Sequence, residues 1–323
     1  MSIAGATPAK PARERIAVIG AGLMGHGIAQ VFAVAGHPVR LYDSDPGTLA
    51  AAPARIRGNL EALGQDVAAA DRVRLAATVA DAVADADFVV EAVAEDLAVK
   101  RAVFAAVEAA APAGCILASN TSVIPIGAIM AGLADRSRTL GTHWFNPPFL
   151  VPLVEVIETP ETAPETVART LALHRAAGKI AVHVRRDLPG FIGNRLQHAL
   201  WREAIALVEA GVCDAETVDT VVKAGFGRRL PVLGPLENAD LVGTDLTLAI
   251  HQIVLADLSR ATGPSPYLER LVAEGRLGMK TGQGFRRWDA ASAAAVRDGL
   301  RRHLQRALED EQAAAAGAGE STQ

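Results

Sequence analysis

Cysteine is nearly absent. Only Cys115 and Cys213 occur in 323 residues. They lie far apart with no His/Cys cluster around them, which argues against a disulfide framework or a structural metal site and fits a reducing cytoplasm. A dominant charge sign is missing too. Lys and Arg number 32 against 36 Asp and Glu, a formal net charge of -4, so nothing electrostatic points to nucleic acid or to an anionic membrane as a partner. No apolar run reaches the roughly 18 residues that read as a membrane-spanning helix. The opening "MSIAGATPAKPARER" has no apolar stretch of the signal-peptide kind and reads as a flexible arm over 1–14. Aromatic residues make up only 4%, and abundant alanine blurs helix periodicity and therefore element boundaries. What is plentiful is apolar surface. Half the chain is hydrophobic, enough for a sizeable core, and the length suggests about two domains.

Apolar runs and helical stretches alternate through the first part of the chain. Strands are expected at "RIAVI", "HPVRLYD", "DFVVEAV", "CILASN", "RTLGTHWF", "PLVEVIE" and "KIAVHV". Between them lie helical stretches at 46–63, 97–111, 125–133 and 164–177. That order predicts an α/β domain with a mostly parallel sheet covered on both sides. After Asp187 the texture changes to helices separated by Gly, Pro and Asp, with no strand until "GFRRW" at 284–288. The expected organisation is an α/β domain over 15–187, an all-helical domain over 188–290, and a C-terminal segment over 291–323. In that last segment Val296, Leu300, Leu304 and Leu308 stripe a helix, and "AAAAGAGESTQ" reads as a disordered tail.

Gly20–Ala21–Gly22–Leu23–Met24–Gly25 follows the first strand and opens a helix. In that context the three glycines have separate jobs. Gly20 permits a tight turn, Gly22 lets a diphosphate approach the backbone, and Gly25 lets helix and strand pack closely. The anion then rests on the helix N-terminus. Asp43 ends the second strand 18 residues after Gly25. An acid there accepts ribose hydroxyls and repels a 2′-phosphate, which favours NAD over NADP. The plainer alternative is a Gly-rich helix cap with a surface Asp.

"GTHWFNPPFLVPLVEVIE" contains an anomaly. Glu155 sits among Leu153, Val154, Val156 and Ile157 in a strand that is apolar on both faces. An ionised carboxylate there costs several kcal/mol unless it is paired. His143, upstream in the same stretch, is the natural partner. The carboxylate would fix the tautomer and stabilise the imidazolium. A base with a steering carboxylate beside a nicotinamide site means alcohol oxidation. The alternatives are an edge strand with Glu155 in water and an ordinary core histidine. "SNTS" at 119–122 adds small polar groups at another strand end, with Ser119 reading as a turn residue.

Taken together, "GAGLMGHGIA", "VVEAVAEDLAVK", "ASNTS", "GTHWFNPP", "PLVEVIE", "DLPGFIGNRL", "GPLENADLVGTD" and "GMKTGQGF" resemble, in order, the L-3-hydroxyacyl-CoA dehydrogenase family across roughly residues 15–288. The resemblance implies a Rossmann-like, NAD-binding domain, then an all-helical C-terminal domain for substrate binding and homodimer formation. It makes His143 the general acid/base and Glu155 its partner. It also implies that Ser122 and Asn194 meet the substrate's oxygen, and that Glu95, Lys100, Asn120 and Asn146 lie beside the cofactor. Read without it, Glu95 and Lys100 are an ordinary helix-surface pair.

The chain also departs from the acyl-CoA pattern, which carries a long, lysine-rich helical pair after the second strand. Residues 44–80 are shorter and contain no lysine; their only cations are Arg55, Arg57, Arg72 and Arg74. Arg55 and Arg57 are the candidates for holding CoA phosphates. "NPPFLVPLVEV" is similar to relatives that act on free hydroxy acids or aromatic alcohols, of the gulonate (lambda-crystallin), carnitine and pyridine-carboxylate types. The first expectation is therefore oxidation of an L-3-hydroxyacyl-CoA or a related 3-hydroxy acid. A non-CoA alcohol dehydrogenase is the alternative, and a non-catalytic or NAD-sensing protein the third.

Overall fold

The computed structural model describes residues 13–320. Of the expected arm, 1–12 lies outside the described residues; Arg13 and Glu14 are included, and Glu14 pairs with Arg169 at 2.9 Å. Two compact units divide the chain. One comprises Met1–Asn194 with His303–Gln323, the other Arg195–Arg302.

The first unit alternates strands and helices: β1 (Ile16–Ile19), α1 (Gly25–Val34), β2 (Val39–Tyr42), α2 (Pro46–Ala62), β3 (Val73–Leu75), α3 (Val79–Val83), β4 (Phe88–Glu91), α4 (Leu97–Ala110), β5 (Ile116–Ser119), α5 (Ile126–Met130), β6 (Thr139–Trp144), β7 (Leu153–Ile157), α6 (Pro164–Ala176) and β8 (Ile180–Val184). The strands form one sheet in the order β3-β2-β1-β4-β5-β6-β7-β8. Among the described residues, neighbours are parallel except at β6–β7, which is antiparallel.

Strand alternation sends side chains into two cores. Ile16, Val18, Phe88, Val90, Ile116, Ala118, Leu140, Trp144, Val154 and Val156 pack with Phe32, Ile56 and Leu173 of α1, α2 and α6. Ala17, Ile19, Val89, Leu117 and Ile157 pack with Val83, Phe104 and Ile129 of α3, α4 and α5. The same alternation places Glu91, Ser119, His143 and Glu155 on the α3–α5 face, each buried. Four polar groups on one buried face must satisfy one another; Glu91, Ser119 and His143 lie at or next to the ends of their strands, and Glu155 in the middle of its own.

Local chemistry sets the element limits. Asp45, Thr78 and Asp96 cap α2, α3 and α4 by accepting backbone N–H groups. Gly36 turns at φ +91° just after α1. β3 and α3 are not foreseen from the sequence: three and five residues in an Ala-rich stretch carry too little periodicity.

The helical unit continues from α7 (Gly193–Glu209) through α8 (Ala215–Ala224), α9 (Pro235–Val242), α10 (Thr244–Val254) and α11 (Pro266–Ala273). The strand expected at 284–288 is not formed. Only isolated bridges join Gly278 to Gln283 and Gln283 to Arg287, because glycines with positive φ at 278 and 282 turn the chain before a ladder can grow. α12 spans Ala290–Glu320. Its backbone runs helically into the segment expected to be a disordered tail, where alanine, the strongest helix former, dominates and proline is absent. Residues 321–323 lie outside the described residues. No described helix is long and apolar enough to cross a membrane.

Candidate active site

The loop between β1 and α1 fits a dinucleotide diphosphate on steric grounds. Gly20 has φ +102°, and a Cβ on it would lie 2.5 Å from the Ala92 carbonyl oxygen. A Cβ on Gly25 would lie 1.7 Å from the Gly20 carbonyl oxygen. Both glycines are required by the fold itself. Gly22 differs: its Cβ would meet nothing within 4 Å. Its smoothness serves open space, where an anion can approach the backbone. Met24 provides no side-chain cap for α1, so the helix N-terminus remains available to an anion. Leu23 is exposed beside this space, while Met24 packs on the core. Asp43 binds the loop to the end of β2, Oδ2 accepting the Ala21 N–H at 2.7 Å and Oδ1 the Asp45 N–H at 2.9 Å.

His143 and Glu155 are register partners across β6 and β7. Nδ1 of the imidazole lies 2.7 Å from Oε2 of the carboxylate, with both side chains buried. The other carboxylate oxygen, Oε1, accepts backbone N–H groups of Ile192 at 3.0 Å and Gly193 at 2.9 Å, at the start of α7. Gly193 allows this approach, since a Cβ there would lie 2.7 Å from the Phe145 ring. Burial opposes ionisation of Glu155, but the hydrogen bonds from His143, Gly193 and Ile192 outweigh it and hold the carboxyl below its ordinary range. Phe145 and Phe191 pack on the imidazole, ring centroids 4.6 and 5.6 Å away.

A second buried histidine provides a contrast. His174 sits among Phe32, Phe88 and Trp144 with Nδ1 at 2.8 Å from the Thr170 carbonyl. It has no carboxylate, and burial pushes it down to about 4, a neutral core residue. His143, by contrast, has a buried carboxylate on its Nδ1.

The turn after β5 closes the site. Asn194 Nδ2 donates to the Ser122 carbonyl at 2.9 Å, so these two predicted substrate residues are in contact. Asn120 Oδ1 accepts the Trp144 N–H at 2.9 Å and ties the ends of β5 and β6 together. Asn146 is exposed, ahead of a cis peptide bond to Pro147. Glu95 Oε1 accepts Thr121 Oγ1–H at 2.5 Å, Ser122 N–H at 3.0 Å and Val123 N–H at 3.2 Å. Burial opposes ionisation of Glu95, but Thr121, Lys100 and these amides hold it below the usual range.

Lys100 is not the helix-surface residue its sequence context suggests. It is 1% exposed, 2.8 Å from Glu91 Oε1 and 3.3 Å from Glu95 Oε2. Glu91 is the residue that the sequence reading passed over. The signal for it was present: like Glu155, it is a carboxylate in an otherwise apolar strand, here at the strand's end.

Arg55 and Arg57 stand apart from this cluster. Both are exposed on α2; Arg57 is paired with Asp71 at 2.6 Å, and Arg55 adds to the burial that lowers His26. After α2 the chain forms a short 3-10 turn at 67–72 in place of a second long helix.

Comparison with known proteins places the chain in a family. Residues 15–188 match the NAD binding domain of 3-hydroxyacyl-CoA dehydrogenase, and residues 190–288 match its C-terminal domain. The chain is 38% identical to the 5-formyl-3-hydroxy-2-methylpyridine 4-carboxylate 5-dehydrogenase of Mesorhizobium japonicum, over 84% of this chain and 90% of that protein. It is 38% identical to an L-carnitine dehydrogenase of Streptomyces griseus, over 71% and 70%. It is 37% identical to a probable 3-hydroxybutyryl-CoA dehydrogenase of Bacillus subtilis, over 84% and 96%. Among solved structures, the pyridine-carboxylate 5-dehydrogenase, described as an NAD+ dependent dismutase, superposes with a TM-score of 0.85 at 35% identity, covering 92% of this chain and 99% of that one. The (S)-3-hydroxybutyryl-CoA dehydrogenase of Ralstonia eutropha gives 0.72 at 30% identity, covering 86% and 100%.

Proposed function

The chain belongs to the 3-hydroxyacyl-CoA dehydrogenase family of NAD-dependent enzymes acting on hydroxyl groups, and from that premise we propose that it oxidises the hydroxyl of a small carboxylate substrate carrying no CoA, with His143 as the acid/base and Glu155 as its partner. The observation that carries the chemistry is the buried 2.7 Å contact between His143 Nδ1 and Glu155 Oε2. With Nδ1 committed to the carboxylate, Nε2 is the nitrogen that takes the hydroxyl proton, and Glu155 stabilises the resulting imidazolium. Bound NAD supplies the hydride acceptor. Gly20, Gly22 and Gly25 with the N-terminus of α1 would hold its diphosphate, and Asp43 its adenosine ribose. Ser122 and Asn194 hold the substrate oxygen that changes from hydroxyl to carbonyl, and Glu95, Lys100, Asn120 and Asn146 line the cofactor side.

Three observations favour a substrate without CoA. Residues 44–80 contain no lysine. Arg57 is already paired with Asp71. The pyridine-carboxylate enzyme gives a TM-score of 0.85 against 0.72 for a hydroxybutyryl-CoA enzyme. The acyl-CoA reading retains one specific support, the exposed Arg55 on α2, a cation in the segment that follows the second strand. NADH formation from NAD with four substrates separates the readings: (S)-3-hydroxybutyryl-CoA, free (S)-3-hydroxybutyrate, L-carnitine and 5-formyl-3-hydroxy-2-methylpyridine 4-carboxylate, whose hydrated aldehyde carries the hydroxyl and the hydrogen that leaves. Turnover of a free acid, with the thioester slow, supports the proposal. Turnover of the thioester alone, with a raised KM in Arg55→Ala, overturns it in favour of the acyl-CoA reading. Tight NADH binding with no turnover at all points to the third, non-catalytic role.

The exposed Val232, Leu236, Leu241, Leu248 and Ile253 of the helical unit support a homodimer, for which light scattering is the test. Cys115 and Cys213 are both free thiols, in keeping with a reducing cytoplasmic setting.

A further inference from the structure

Glu91 is fully buried at the end of β4 and gathers three donors. Oε1 accepts Lys100 Nζ–H and the Val93 N–H, each at 2.8 Å; Oε2 accepts Ser119 Oγ–H at 2.6 Å. Two paths leave this carboxylate, and both arrive at the turn that carries Ser122. The first runs through the buried Lys100 ammonium to Glu95, and from Glu95 to Thr121, Ser122 and Val123. The second runs through Ser119, whose Oγ also receives the Thr121 N–H at 3.3 Å. Glu95 alone is a poor anchor. Its side chain is 37% exposed, and an exposed carboxylate holds no fixed position without a partner. Lys100 provides that partner, and Glu91 keeps Lys100 in place; a buried ammonium without its carboxylate is strongly destabilised.

We propose that Glu91 is a positioning residue for the dehydrogenase reaction, holding the Thr121–Val123 turn from two sides so that Ser122 meets the reacting oxygen. The proposal rests on the functional reading above. It goes beyond the role of Lys100 and Glu95 beside the cofactor, because it assigns the buried pair a task on the substrate side.

Glu91→Gln is the direct test. The amide keeps the shape but offers one acceptor oxygen in place of two to Lys100, Val93 and Ser119. Ser119→Ala cuts only the second path, leaves the buried charges intact and so keeps the fold. Two readouts are taken on each: amide hydrogen exchange at Ser122 and Val123, and kcat/KM alone and in a Ser122→Ala background, using whichever of the four substrates above the wild type turns over fastest. Glu91→Gln is expected to speed exchange at both amides at least ~10-fold and to lower kcat/KM on the order of 100-fold, the cost of a small misplacement. Ser119→Ala is expected to lose about 10-fold, one hydrogen bond's worth. Once Ser122 is already Ala, the Ser119→Ala loss in kcat/KM should vanish and the Glu91→Gln loss should shrink to what the displaced Lys100 costs on the cofactor side. Unchanged exchange in the two variants overturns the proposal, and so do losses that simply multiply with Ser122→Ala. Should the wild type turn over none of the four substrates, the functional reading fails by itself, while the exchange measurement still decides whether Glu91 holds the turn.

Discussion

His143 and Glu155 stand opposite each other where β6 pairs antiparallel with β7, and the one carboxylate serves two masters: the imidazole on Oε2 and the first amides of α7 on Oε1. The base proposed for the reaction and the entry to α7 are therefore held by the same buried carboxylate. Removing that charge should affect both chemistry and stability.

Glu155→Gln tests the double role. The amide still accepts from the backbone but no longer balances an imidazolium, so kcat should fall by about 10²-fold or more and the pH–rate profile should move. Stability has a definite sign. The Glu155 carboxyl is held below its ordinary value of 4.5 in the folded protein. Its stabilisation is therefore present above 4.5 and is lost as pH falls through the folded-state value. Melting temperatures of wild type and variant should differ at pH 7 and converge as pH drops below 4.5. A gap that stays constant over that window contradicts the assignment.

Gly22→Ala and Gly25→Ala should separate binding from folding. The added methyl at position 22 meets open space and that at position 25 meets the Gly20 carbonyl at 1.7 Å. Gly25→Ala should lose stability by about 1–3 kcal/mol or fail to fold. Gly22→Ala should melt like the wild type yet bind NADH at least ~10-fold more weakly, a difference of about 1.4 kcal/mol. Thermal melts and NADH fluorescence titration read the two effects; equal NADH affinity in Gly22→Ala removes the diphosphate from this loop.

Lys179 anchors the loop after Asn146. Its ammonium donates to the carbonyls of Pro148 and Val151 and lies 5.3 Å from the Trp144 ring. Burial pushes it from 10.5 down to about 8. Because the folded-state value is depressed, the unfolded chain binds more protons between pH 8 and 10.5, and stability from this group rises with pH across that window. Lys179→Met should abolish that rise. Denaturant midpoints at pH 7.5, 9 and 10.5 check it, and an identical slope in the variant would falsify the account of Lys179.

Much of this was legible in the sequence for a plain physical reason. Glu155 breaks an apolar alternation, and Gly20, Gly22 and Gly25 follow a strand and open a helix, so their chemistry is local. Glu91 carries the same kind of signal but ends its strand, where an acid facing water is ordinary; only the register Glu91–Ser119 reveals its burial. Without the family resemblance Lys100 reads as one of a surface pair, although Phe104 and Val107 share its buried helix face, a spacing the abundant alanine obscures. The backbone N–H groups of Ile192 and Gly193 have no side-chain signature at all. The strands β1, β2 and β4–β8 follow their apolar runs, whereas the three residues of β3 are held by pairing to β2 alone among the described residues, a tertiary effect that no local pattern announces.

The most direct measurement is turnover by His143→Gln beside its NADH affinity. The account predicts NADH binding within about twofold of wild type and a loss of roughly 10²–10⁴ in kcat on the best of the four substrates. Near-normal turnover with intact NADH binding would take His143 out of the mechanism, and with it the role assigned to Glu155.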